Sequence, residues 1–133
     1  MEHWELIQYT VFASAADAKQ VMVGPDPAKP AFSVWRLKQL NRQSLPDPKI
    51  SARHIDGYGL SVIVDARAHR HAPASWHDTG LTEANALVGN VIVNVATPSS
   101  TMNQEHGDRV SALRLLRSAV AHLRRAQFSF VTG

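Results

Sequence analysis

The chain has no cysteine, and that absence removes disulfide frameworks, thiolate zinc sites and cysteine nucleophiles together. Packing or a partner subunit must hold the fold instead. No stretch approaches the roughly 18 consecutive apolar residues of a membrane-spanning helix. The opening "MEHWELIQYT" has neither the basic nor the apolar region of a secretory signal, so the expectation is a chain that is cytosolic where it is made. Phosphate-loop and dinucleotide fingerprints are missing too, since Gly57 and Gly59 are not followed by a helical pattern. Internal repeats and low-complexity segments are absent, which leaves the order of elements as the informative signal.

What is there is an ordinary globular composition. With 133 residues, 44% hydrophobic and 19% charged, residues 1–133 are expected to form one domain with a core of its own. The net charge is +3 and the isoelectric point about 9.7. Such a balance permits contact with nucleic acid without demanding it.

The first segment, "ELIQYTVFA", is rich in aromatic and β-branched residues and reads as a strand. "SAAD" reads as a turn, and "AKQVMVG" as the partner strand of an N-terminal hairpin over residues 5–24. "PDPAKP" holds three prolines in six residues and is a loop. "AFSVWRLKQL" alternates with period two and reads as a strand, with Phe32, Val34, Arg36 and Lys38 on one face. A second loop, "NRQSLPDP", leads to "KISARHIDGYGLSVIVDAR". That stretch reads as two strands joined at Asp56-Gly57, a strong hairpin signal. Lys49, Ser51 and Arg53, then Ser61, Asp65 and Arg67, share its polar and mostly basic side.

From 68 to 86 the pattern dissolves into an irregular crossing with room for one short strand, and "LVGNVIVNVAT" over 87–97 then reads as the clearest strand of the chain. At its end the period changes. Val110, Leu113, Leu116, Val120 and Leu123 recur at three- and four-residue steps, which predicts one amphipathic helix over 102–126, followed by a short apolar tail over 127–133. The expectation is an α+β fold, with an antiparallel sheet of about five strands spread over 31–97 and a C-terminal helix. A single helix of about 10 Å diameter covers only about two strand spacings. The apolar side of the sheet therefore asks for a second subunit.

The order of elements, and above all "NVIVNVATPSSTMNQEHGDRVSALRLLRSAV", resembles the coat proteins of single-stranded RNA bacteriophages of the levivirus type. The resemblance implies an obligate, intertwined homodimer whose sheets join edge to edge and whose helices lie over the outer face. It implies further assembly into an icosahedral capsid, the virion, built in the cytoplasm of a bacterial host. The other sheet face would line the interior and hold single-stranded genomic RNA, and in several members it binds a hairpin that represses replicase translation. Carried onto this sequence, the RNA-binding face would present Arg36, Lys38, Lys49, Ser51, Arg53, Ser61, Arg67, Asn90 and Asn94. Arginine and lysine suit phosphates, while serine and asparagine suit base edges. No catalytic residue, cofactor, metal or membrane contact is expected on this reading.

Other readings stay beside it. His69, His71 and His77 in "HRHAPASWH" offer a His-x-His pair, yet Asp78 is the nearest group to complete a ligand set. His54 with Asp56 resembles a catalytic pair without a nucleophile. Trp4, Trp35 and Trp76 read as packing or subunit-contact residues, and Arg109, Arg114, Arg117, Arg124 and Arg125 as the solvated flank of the helix. The runner-up function is a small dimeric α+β-barrel enzyme resembling antibiotic-biosynthesis monooxygenases, which requires a helix over 14–24. A cellular RNA-binding module is the third.

Overall fold

The computed structural model describes residues 5–23, 49–66, 81–98 and 105–132. They form five strands and two helices: β1 (Leu6–Val11), α1 (Ala15–Val23), β2 (Lys49–Ala52), β3 (Ser61–Ala66), β4 (Leu81–Val88), β5 (Val91–Pro98) and α2 (Glu105–Thr132). The strands make one antiparallel sheet in the order β1-β5-β4-β3-β2. The α+β arrangement of five antiparallel strands and a C-terminal helix is as expected from the sequence.

Where the expectation fails is the N-terminal hairpin. Residues 15–23 are helical rather than a second strand. Ser14 caps this helix, its Oγ accepting the backbone N–H of Asp17 at 3.0 Å while its carbonyl accepts Ala18 N–H at 3.2 Å. "SAAD" is thus a helix start of the Ser-x-x-acid kind, and the alanines, Lys19 and Gln20 that follow are good helix formers. In place of its own hairpin partner, β1 takes β5, with Leu6 opposite Ala96 and Val11 opposite Val91.

A second correction falls on 87–97, expected as one strand. The chain reverses there: β4 ends at Val88, Gly89 and Asn90 make the turn, and Val91 pairs back with Val88. Gly89 has φ +59°, a left-handed conformation that two-residue hairpin turns require and glycine adopts without steric cost. Asn90 fastens the turn to the end of β1, its Nδ2 donating to Phe12 O at 2.8 Å. The hairpin expected over 49–67 is present, with Lys49 opposite Asp65 and Ile50 opposite Val64, and an irregularity before Ala52. Its connection holds Gly57 at φ +91°.

Period-two alternation assigns the two faces. Ile63, Ala84, Ala86, Val91, Val93 and Val95 share one face, and α2 lays Ala112, Leu115, Leu116, Ala119 and Val120 on it. The alanines on both surfaces let helix and sheet approach closely, and Tyr9 adds a tether, its hydroxyl donating to Ala119 O at 2.9 Å. On the opposite face Val62, Val64 and Ile92 meet Met22 of α1. Both faces of the sheet are thus apolar in part, and α1 of the same chain covers some of the face that α2 leaves open. The helix expected over 102–126, with a separate tail, continues without a break to Thr132. The strand expected at 31–40, the three tryptophans and the histidine cluster at 69–77 lie outside the described residues.

Candidate functional site

Of the nine residues expected to make an RNA-binding face, Arg36, Lys38 and Arg67 lie outside the described residues. The others do not gather on one open surface. Ser61 is buried on the face that α2 covers; its Oγ accepts the Ile55 N–H at 2.7 Å and donates to Gly59 O at 3.4 Å. Asn94 is buried on the opposite face, and Asn90 is engaged in the β4–β5 turn. Ser51 offers its carbonyl to Arg109 of α2, which donates from Nη2 at 3.3 Å. Lys49 stands opposite Asp65, whose Oδ1 accepts the Thr82 hydroxyl at 2.7 Å. Arg53, just beyond β2, is exposed.

This arrangement gives Asp65 a place. It lies on the helix side of the sheet and is bonded to Thr82 across β3 and β4, so the polar side of β3 that reads as an outer face belongs to the face that α2 covers. A strand's period shows which residues share a face; which face is covered depends on where the helix docks.

Among the described residues the sheet also carries an unforeseen polar cluster. Glu83, Asn85 and Asn94 sit on neighbouring strands β4 and β5, all buried, on the face opposite α2. The Asn94 amide donates to both Glu83 Oε1 and Asn85 Oδ1, and Asn85 Nδ2 donates to Val62 O at 3.4 Å. The Asn94 Oδ1 receives no hydrogen bond among the described residues. A buried carboxylate is tolerated only with such partners, because an isolated charge in an apolar interior costs several kcal/mol. The sequence signal for the cluster was the Asn94 position inside a valine run, where alternation alone would expect an apolar or an outward residue. No group of three metal-ligating side chains occurs among the described residues. His54 Nε2 and Asp56 Oδ1 are 4.0 Å apart and solvent-exposed, beyond hydrogen-bonding distance.

Two surfaces stand out among the described residues. One is strand β1, at the edge of the sheet. Its sequence, Leu-Ile-Gln-Tyr-Thr-Val, contains no charge, proline or glycine, and Leu6, Ile7 and Val11 are 42%, 42% and 69% exposed. Natural edge strands are commonly blunted by lysine, proline or a bulge, and β1 has none of these devices. The other is the outer side of α2, where Arg114, Arg117, Arg124 and Arg125 are exposed.

No family model matches the chain, and no match is found among curated proteins or solved structures.

Proposed function

We propose that the protein is a self-associating structural protein of coat type, whose copies pair through β1 and whose pairs assemble further around single-stranded RNA. The observation that carries this reading is the uncharged, apolar, unprotected edge of β1. An antiparallel seam about a twofold axis at Tyr9 would place Ile7 opposite Val11 of a second copy, Tyr9 opposite Tyr9 and Val11 opposite Ile7. Residues directly opposite in an antiparallel pair point to the same face. All of these stand on the α2 side of β1, so the two sheets would run on as one ten-stranded sheet with both long helices on the same side. The seam supplies partners for the outward N–H and C=O groups of β1 and covers its exposed side chains at the same time.

Sedimentation together with electron microscopy of the purified protein tests this reading. Dimers that build larger particles containing nuclease-protected RNA are the expected result, and a monomer at every concentration would overturn it.

A second reading is supported by α1, because a helix directly after β1 is what the small α+β-barrel enzyme requires. In that case the buried Glu83 carboxylate, held by Asn94, would be the proton acceptor. Activity lost on Glu83→Gln in a folded protein that never forms particles would favour the enzyme.

A further inference from the structure

The geometry points to the outer side of α2 as a binding surface for the phosphodiester backbone of single-stranded RNA, formed by Arg114, Arg117, Arg124 and Arg125. The choice of RNA among polyanions rests on the function proposed above; the surface itself rests on the helix.

At 3.6 residues per turn the four arginines fall within an arc of about 100°, and from Arg114 to Arg125 they extend about 16 Å along the axis. The arc lies opposite Ala112, Leu115, Leu116 and Ala119, which are buried against the sheet. Docking on the sheet therefore holds the row outward on a rigid element. From Arg109 to Thr132 the helix contains no acidic residue, and none of the four arginines forms an ion pair or hydrogen bond with a described residue. Arg109 is different, being turned to the Ser51 carbonyl. Like charges one turn apart, as at Arg114 and Arg117, oppose helix formation by a few tenths of a kcal/mol. An uncompensated row of this kind is a cost that a bound polyanion removes.

The chemistry of the row selects the partner. Guanidinium forks donate two parallel hydrogen bonds to a phosphate, and the neighbouring exposed Ser111, Ser118 and Gln127 add uncharged hydrogen-bonding groups. An anionic membrane surface is disfavoured, because membrane-binding helices insert an apolar face and that of α2 is already spent on the sheet. The surface is also on a different element from the residues first expected to hold RNA.

The test is the salt dependence of binding to a fluorescent oligouridine, with anionic phospholipid vesicles as a second probe. Four phosphate contacts on a single strand give a slope of log K against log salt of about −2.8, and hence about a 50-fold loss of affinity between 50 and 200 mM salt. The double variant R114Q/R117Q should lower the slope to about −1.4 and the loss to about 7-fold. The substituted side chains are exposed, so helicity and melting should be unchanged, and circular dichroism checks this. Lys19→Gln, on α1 at the other face of the sheet, should leave the slope as it was. An unchanged slope in R114Q/R117Q, an equal fall in Lys19→Gln, or binding to vesicles but not to oligouridine would each overturn the inference. Dimers that bind no RNA would sink this surface and leave the assembly through β1 standing, whereas an RNA-binding monomer would do the reverse.

Discussion

Val11→Lys is the sharpest probe of the proposed seam. Val11 is 69% exposed in the protomer. Covering it therefore recovers about two-thirds of the roughly 2 kcal/mol that full burial of a valine contributes, or about 1.4 kcal/mol. The twofold axis repeats the contact, so replacing both valines removes about 3 kcal/mol from the dimer, about a 100-fold rise in Kd. Lysine adds the cost of bringing an ammonium group toward an apolar seam, so the figure is a lower bound. Within one protomer the same side chain buries little surface, and β1 keeps its pairing with β5, so the fold and its melting temperature should hardly move. Sedimentation velocity across a concentration series reads the dissociation constant, while thermal unfolding monitored by circular dichroism reads the protomer. Val11→Thr keeps the β-branched shape and should weaken the dimer less than lysine does. If the lysine variant associates as tightly as the parent protein, β1 is not the seam and the assembly reading loses its support.

Leu116→Ala should destabilise the protein by about 2–5 kcal/mol, because the side chain is fully buried between α2 and the sheet and the alanines around it cannot close the gap; chemical denaturation measures the loss. Ser61→Ala removes the acceptor for the buried Ile55 N–H and should cost about 1–3 kcal/mol by the same assay, with β3 retained. Ser14→Ala should cost about 1 kcal/mol and increase hydrogen exchange within α1 before any other element is affected. Tyr9→Phe keeps the ring and loses the bond to Ala119 O, for a loss of about 1 kcal/mol; no loss would mean that the tether is absent in solution.

How much of this molecule was legible beforehand differs by element. Helix α2 was, because its apolar residues recur at the helical period over many turns and a long amphipathic stripe has few other solutions. The β2–β3 hairpin was also legible, since Asp56-Gly57 stands between two alternating runs and Gly57 does adopt the left-handed conformation such a turn uses. The short helix α1 was hidden by Val21, Met22 and Val23, whose apolar character suits a strand equally well; the cap at Ser14 and the partner β5 decide against it. In "LVGNVIVNVAT" a continuous valine-rich run outweighed the Gly-Asn pair, although that pair marks the reversal between β4 and β5.

The candidate surfaces divide along the same line. Alternation showed that Lys49, Ser61 and Asp65 share a side, and helical spacing put Arg114, Arg117, Arg124 and Arg125 on one flank of α2; both are local properties of a repeating backbone. Which side of the sheet is covered, that β1 stands at an edge instead of pairing with its neighbour in sequence, and that Glu83, Asn85 and Asn94 meet in the interior depend on pairings between residues far apart in the chain. No period within a single segment encodes them. They are settled only when α2 docks over β4 and β5, because that choice turns one polar row inward and leaves the arginines and the edge of β1 outward.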